Sequence, residues 1–372
     1  MAIMTLPVYN NVESATMRNG IIGMPSSRRL FASVNRKDVR LKPKMIIAVH
    51  AGGHGDGLRP VDISRDLPQV VDLLRMVFGE SGEVGEQKLF GDVGSSMVNG
   101  LMYRLQPSAA RLSNGFVWQV GGRIVGNATL LTTRAWDRYL VANVAVHPSY
   151  RRQGIARALM ESITTLVRNR GGHIVILQVV KDNQSAIDLY RSLGYESIAN
   201  MTTWYATASR IRDIPSSAPG RQETAIDQLP NHQWREAYDL DISHVPADLN
   251  WPEPLALDAY RYSFWQKASD FLNGRQKETW STVDAQGRLA GLASIHGEWG
   301  HSYYLTLRVR PQQAGQLERP LLAKLIRRLR YLPRRNARTD HPEADEVTNA
   351  LLRESNFAAQ RTLTHMRLNI SR

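Results

Sequence analysis

A run of basic and small residues between a predicted strand and a predicted helix has the clearest chemical meaning in this sequence. It reads Val-Ala-Val-His-Pro-Ser-Tyr-Arg-Arg-Gln-Gly-Ile-Ala-Arg over residues 144–157. The first N–H groups of a helix lack partners within the helix, and the positive end of its dipole attracts anions. Arg151 and Arg152 add charge beside Gly154, where the backbone can approach a ligand closely. The run therefore predicts a phosphate-binding turn.

The elements around this turn follow from apolar periodicity and from glycine pairs. The pattern predicts strands over residues 58–63, 115–120, 123–132, 139–147, 174–180 and 196–206. It predicts helices over residues 66–78, 93–105, 154–169 and 184–193. The phosphate-binding turn would then join the fourth strand to the third helix.

A second segment, about 30 residues further along, adds to the first. It reads Asn-Gln-Ser-Ala-Ile-Asp-Leu-Tyr-Arg-Ser-Leu-Gly-Tyr over residues 183–195. With the preceding Arg151-x-x-Gly154-x-Ala156 pattern, it resembles the GNAT superfamily of N-acyltransferases over roughly residues 58–206. The resemblance implies an α/β (α+β) fold, with a mixed, mostly antiparallel β-sheet flanked by helices. It also implies acetyl-CoA as a co-substrate and no metal.

The resemblance assigns roles to particular residues. Tyr190 would protonate the coenzyme A thiolate as it leaves. The cofactor would be bound by Val144, Ala145, Val146, Arg151, Arg152, Gln153, Gly154, Ile155, Ala156, Arg157 and Asn183. Taken without the resemblance, Asn183 could be only a helix cap, Tyr190 only a core aromatic, and the turn only a strand–helix connection.

The general base is harder to assign. The similar ribosomal-protein alanine acetyltransferases have a Glu where this chain has Gln178, and other relatives have a carboxylate where it has Asn143. Neither amide takes up a proton near neutral pH. Asp137 and His147 are nearby alternatives, although a His before a Pro at a strand end is more often structural.

Three pairs of segments indicate an internal repeat, because their offsets stay between 162 and 165 residues. The pairs are 122–126 with 287–291, 146–148 with 309–311, and 189–195 with 351–357. The sequence therefore predicts two GNAT-like domains in tandem.

The second copy differs from the first at the positions that would bind the cofactor. Aligned through residues 309–311, it replaces Gly154, Ile155 and Ala156 by Leu317, Glu318 and Arg319. Aligned through residues 351–357, it replaces Tyr190 and Asn183 by Leu352 and Asp345. A carboxylate at position 318 would repel phosphates, and Pro320 removes a backbone donor. This copy is predicted neither to bind acyl-CoA nor to catalyse.

The composition of the chain predicts where its domains and linkers lie. We expect a basic, disordered extension over residues 1–44, a catalytic domain over 45–206, a linker over 207–222 and the degenerate domain over 223–372. There is no cysteine in the 372 residues, which excludes disulfides and thiolate chemistry. No apolar run is long enough to span a membrane, so a cytoplasmic protein is expected.

The net charge of +13 leaves an anionic partner open. Six arginines within residues 327–338 could bind RNA or form a solvated helix face, and aromatics within 251–265 could line an acceptor pocket or pack in a core. The sequence favours an N-acetyltransferase acting on a small amine or on a protein N-terminus or lysine, and it leaves a homodimer open. The alternatives are a non-catalytic acyl-CoA sensor and an RNA- or ribosome-associated protein.

Overall fold

The fold is taken from a computed structural model. It describes residues 55–79, 115–133, 135–217, 224–245, 255–261 and 274–371, with three single positions at 249, 270 and 272. The predicted extension over 1–44, the predicted helix over 93–105 and most of the aromatic segment over 251–265 lie outside these residues.

The described part of the first half contains six strands and three α-helices. The strands are Gly57–Pro60 (β1), Gly115–Val120 (β2), Arg123–Thr132 (β3), Arg138–Val146 (β4), Ile174–Val180 (β5) and Glu196–Ala206 (β6). The helices are Ile63–Phe78 (α1), Ile155–Asn169 (α2) and Gln184–Ser192 (α3). These bounds agree with the predicted elements to within three residues.

The second half repeats this order. Its strands are Asp227–Gln228 (β7), Arg275–Val283 (β8), Leu289–Glu298 (β9), Tyr303–Val309 (β10), Ala337–Pro342 (β11) and Ala358–Asn369 (β12). Its helices are Trp234–His244 (α4), Glu318–Leu329 (α5) and Glu346–Glu354 (α6). The repeat of element order confirms the tandem architecture predicted from the sequence.

All twelve strands form one sheet, in the order β1-β2-β3-β4-β5-β12-β6-β11-β10-β9-β8-β7. The last strand of each half has therefore crossed to the other half. β12 pairs antiparallel with β5, and β6 pairs antiparallel with β11. The predicted domain bounds remain predictions, but the exchange means that each half completes its neighbour's part of the sheet.

Helices cover both faces of the sheet. On one face α2 packs its apolar stripe onto β3, β4 and β5, and α5 does the same in the second half. On the other face lie α1 and α4. Burial of these stripes from water is the main stabilising contribution, at roughly 25 cal/mol per Å² of apolar surface.

One glycine in each half allows α2 and α5 to lie close to the sheet. A Cβ at Gly126 would lie 2.8 Å from Ile155 Cγ2, and one at Gly291 would lie 2.8 Å from Leu321 Cδ1. Both distances are too short for real carbon atoms, so any larger residue would push the helix away from its strand.

None of the helices in the described ranges is both long and apolar enough to cross a membrane.

Candidate functional site

The parallel strands β4 and β5 part before they end. Their register runs from Arg138 opposite Ile174 to Val141 opposite Leu177 and stops there. The last five residues of β4, up to Val146, therefore continue without β5 beside them. Backbone groups on this edge can pair with an extended ligand in the way that an added strand would.

A bulge in β4 lies at the point where the strands part. The register with β3 shifts between Thr129 opposite Ala142 and Asn127 opposite Ala145. Asn143 has a φ of 56°, in the left-handed region that asparagine tolerates better than most residues. Its carbonyl accepts a hydrogen bond from Asn127 Nδ2 at 2.8 Å. A bulge of this kind changes the direction of the neighbouring side chains.

The basic turn joins the open end of β4 to the start of α2. Arg152 and Gly154 both adopt left-handed φ values, 60° and 79°. Gly154 precedes the first residue of α2, and the helix start has no side-chain cap among the described residues. The first N–H groups of the helix are therefore available to an anion. Ile155 is buried beneath the turn, while Arg151, Arg152 and Gln153 are exposed above it.

Two of the predicted cofactor residues already have contacts of their own. Arg151 Nε donates to the carbonyl of Val146 at 3.2 Å, which holds its guanidinium near the gap. Arg157 donates to Ser192 Oγ at 2.6 Å and lies 3.8 Å from the Glu161 carboxylate, so it links α2 to α3. The side chain of Ala145 is buried beneath α1, which leaves only its backbone for a ligand.

Asn183 and Tyr190 lie on α3 as the sequence predicts. The Asn183 side chain accepts a hydrogen bond from the N–H of Ala186 at 3.2 Å, so it does cap the helix. Tyr190 is 6% exposed and packs in the core beneath α2. Burial raises the pKa of its phenol to about 12, so the phenol keeps its proton at neutral pH. Its ring lies 5.9 Å from the ring of Tyr195, whose pKa is also raised by burial.

The strand exchange brings a histidine next to the position of the missing carboxylate. Gln178 is the first residue of β5 beyond the paired part of β4. Its partner across the sheet is His365 of β12, and the two side chains meet at 3.0 Å between Gln178 Nε2 and His365 Nε2. The sequence did not predict this contact, because the two residues are 187 positions apart and β12 belongs to the other half.

The other two candidates for the base lie in different surroundings. Asp137 precedes β4 at the end opposite to the gap, six residues or about 20 Å from Asn143 at 3.3 Å per residue. His147 Nδ1 accepts a hydrogen bond from the N–H of Ser149 at 3.2 Å. Its ring also packs edge-on against Tyr150. Both features agree with the structural interpretation of His147.

The corresponding gap in the second half is filled by the protein itself. β10 and β11 pair only through Tyr303 with Ala337 and Tyr304 with Arg338. Beyond them, His244 from the end of α4 comes within 3.1 Å of the carbonyl of Val309 through Nδ1. Val309 is the repeat counterpart of Val146, so the carbonyl that accepts from the exposed Arg151 in the first half is contacted here by a half-buried histidine of α4.

The second turn is filled in the same way. Glu318 Oε1 accepts a hydrogen bond from the N–H of Gly315 at 2.9 Å, and this carboxylate is 3% exposed. Its other oxygen is buried without a hydrogen-bond partner among the described residues. A negative group thus occupies the turn where a phosphate would lie, as the substitution of Ile155 by Glu318 suggested.

A buried polar network stabilises the gap in the second half. Arg308 of β10 donates to Asp241 of α4 at 2.6 Å, and Tyr260 donates to the same carboxylate at 2.5 Å. Burial lowers the pKa of His244 to about 4, with a further contribution from the positive charge of Arg308. Burial likewise lowers the pKa of Lys277 to about 8.

Several of the six clustered arginines have acidic partners. Arg328 contacts Glu278 at 2.6 Å, Arg330 contacts Asp213 at 2.9 Å, and Arg338 contacts Asp340 at 2.9 Å. Ion pairing within the protein agrees better with the interpretation of a solvated face than with a surface for RNA.

Comparison with known proteins agrees with this geometry. The sequence profile of the Acetyltransferase (GNAT) family matches residues 97–195, which include the turn, Asn183 and Tyr190. These residues are therefore similar to a GNAT domain. Its first half is 33% identical over 103 residues to the ribosomal protein bS18-alanine N-acetyltransferase of Escherichia coli strain K12, a match covering 28% of this chain and 63% of that enzyme.

Two other proteins extend the comparison. An uncharacterized protein of Mycobacterium leprae is 35% identical over 108 residues, which cover 27% of this chain and 29% of that protein. The solved structure of a GCN5-related N-acetyltransferase from Sphaerobacter thermophilus covers 85% of this chain and 96% of its own, with 15% identity and a TM-score of 0.51. That likeness concerns the fold alone, and it extends the GNAT fold beyond the residues matched by the family profile.

Proposed function

We propose that this protein transfers an acetyl group from acetyl-CoA to an amine, and that the first half carries the reaction. The observation that supports this most is that three features lie together at one end of β4. The parted strands, the bulge at Asn143 and the uncapped start of α2 all lie there. An extended thioester with a diphosphate at one end matches this combination of an open strand edge and an anion site.

In this proposal the turn holds the diphosphate. The N–H groups of Gln153 to Arg157 would donate to it, and Arg151 and Arg152 would supply charge. The pantetheine arm would run along Val144 and Val146, in the gap beside β5. Arg151 would then exchange its hydrogen bond with Val146 for one with the cofactor. Asn183 would contact the cofactor while it keeps its capping role.

The chemical step would be direct attack by the acceptor nitrogen on the thioester carbonyl. A C–N bond forms, a tetrahedral intermediate develops, and the C–S bond then breaks. A backbone N–H near Val144 would stabilise the oxyanion. The departing thiolate would take its proton from the Tyr190 hydroxyl, which its raised pKa keeps protonated.

The proton lost by the amine requires an acceptor. We propose His365 for this role, because it lies beside Gln178 at the point where β4 and β5 part. An imidazole has an unperturbed pKa near 6.5 and can take up a proton at neutral pH. Gln178 would orient the ring or pass the proton through water.

The acceptor would be an amine of a small molecule, or a protein N-terminus or lysine. The name of the Escherichia coli relative points to an alanine N-terminus, but Gln178 separates this chain from the Glu of that enzyme class. A panel of acceptors is therefore the suitable test.

The experiment is an assay of free thiol released from acetyl-CoA by the full chain, with polyamines, amino acids and N-terminal peptides as acceptors. We expect acceptor-dependent release that Tyr190→Phe lowers strongly. If acetyl-CoA binds, no amine supports turnover and Tyr190→Phe changes nothing, the enzyme proposal fails. The non-catalytic sensor is then the better account.

A further inference from the structure

Two histidines and an aspartate meet in the filled gap of the second half. His244 ends α4, His341 lies on β11, and Asp345 precedes α6. One ring nitrogen of each histidine and one carboxylate oxygen of Asp345 all lie within 4.8 Å of one another. We infer that these three residues form a site for a divalent transition-metal ion, with Zn²⁺ as the ion of choice. This site lies in the half to which the proposed function assigns no chemistry.

The types and orientations of the ligands suit zinc. Imidazole nitrogens and a carboxylate oxygen are three of its usual protein ligands, and a water completes a tetrahedron. His341 Nε2 lies 2.7 Å from Asp345 Oδ2, and the Val309 carbonyl lies 3.1 Å from His244 Nδ1. The first contact joins two of the proposed ligands, so a bound ion would replace it, whereas the second holds the His244 ring in a fixed orientation.

The charges around the cluster favour a cation. Arg308 is neutralised by Asp241 at 2.6 Å. That leaves the carboxylate of Asp345, and Glu318 as a second negative group whose field reaches His341.

The cluster can contract around an ion with small movements. Ligand atoms of a tetrahedral zinc site lie about 3.3 Å apart, since each is 2.0 to 2.2 Å from the metal. His341 and Asp345 are already closer than this. His244 is half-buried and is the last residue of its helix, so rotation of its side chain can bring it in.

A metal here would have a structural consequence. It would join α4, β11 and the start of α6 where β10 and β11 part. The cofactor would then occupy the gap of the first half, and a metal ion would occupy the gap of the second half.

The test is a Zn²⁺ titration of the full chain after treatment with a chelator, followed by competition with a chromophoric chelator and by Co²⁺ absorption. Because the chain has no cysteine, Co²⁺ bands can only report nitrogen and oxygen ligands. We expect one tightly held Zn²⁺ per chain and a Tm that rises with Zn²⁺.

Three variants assign the ligands. We expect His244→Gln, His341→Gln and Asp345→Asn each to weaken Zn²⁺ binding at least about tenfold. Asp345→Asn should still fold, because Asn183 caps the equivalent helix of the first half. His301→Gln, an exposed histidine at the opposite end of β10, is the control and should bind as the wild type does.

Two results would overturn the inference. One is the absence of stoichiometric Zn²⁺ binding by the wild-type chain. The other is unchanged affinity in His244→Gln and Asp345→Asn, which decide the matter even if the buried His341→Gln fails to fold. Acetyl transfer by the first half is measured separately, so neither result bears on the proposed function.

Discussion

In the first half of the chain β4 parts from β5 after Val141, and in the second half β10 parts from β11 after Tyr304. Among the described residues, both gaps lead to a helix start without a side-chain cap, but the second gap contains His244 and ends at a turn occupied by Glu318. The same fold thus provides the gap twice. Whether a ligand can use it depends on a few side chains that enter it.

Substitution of the proposed general acid should have the largest effect on the rate. The second half has no equivalent tyrosine at this position. We expect Tyr190→Phe to lower kcat about 10³-fold, because the thiolate would leave without a proton. Tyr195→Phe removes a neighbouring buried hydroxyl and is the matched control, for which near wild-type kcat is expected. Thiol release under saturating acetyl-CoA measures both. Equal losses in the two variants would mean that the effect comes from core packing.

The buried ion pairs on the α1 and α4 face should differ in their contribution to stability. Asp241 and Arg308 are both about 5% exposed, whereas Asp66 pairs with Arg59, which is 16% exposed. We expect Asp241→Asn to lower the free energy of unfolding by about 3 to 5 kcal/mol, since it leaves a buried charge unpaired. Asp66→Asn should cost about 1 to 2 kcal/mol.

Urea unfolding measures both of these changes. Because β6 and β12 cross between the halves, each variant should still show a single transition. Separate transitions for the two halves would contradict the role of the exchanged strands.

The exchanged strand also gives a kinetic prediction. We expect His365→Gln to lower kcat about 10²-fold, because the proposed acceptor of the amine proton is lost. Initial rates of thiol release measure the change. An unchanged kcat in His365→Gln would rule this residue out as the base.

Glycine substitutions in the two turns should have the smallest effect, and they compare the two halves directly. Gly154 and Gly315 both have a φ of 79°, and a Cβ at either would meet no atom within 4 Å. Alanine should strain both turns by about 1 kcal/mol. Only Gly154→Ala should raise the KM for acetyl-CoA, by about tenfold. Initial rates against acetyl-CoA concentration decide this, and an equal rise for Gly315→Ala would implicate the second half in binding.

The sequence predicted what depends on local patterns. The turn at 151–154, the cap at Asn183 and the periodic helices follow from residues near one another in the chain. The family resemblance and the repeat offsets then supplied the tandem GNAT fold.

The rest depends on contacts between distant residues. Pairing of β12 with β5 cannot be read from either strand, because neither sequence specifies which strand will lie beside it. The contact of Gln178 with His365, and the cluster of His244, His341 and Asp345, follow from that topology and from the placement of α4. Glu318 is the exception, since its alignment with Ile155 already suggested a carboxylate in the turn.

The central claim is that only one of the two gaps binds acyl-CoA, and calorimetric titration with a non-hydrolysable acetyl-CoA analogue tests it most directly. We predict one site per chain, weakened at least about tenfold by a double Arg151→Ala, Arg152→Ala variant and unaffected by Arg319→Ala in the second turn. Two sites per chain, or a site that Arg319→Ala weakens while the double variant does not, would contradict the account.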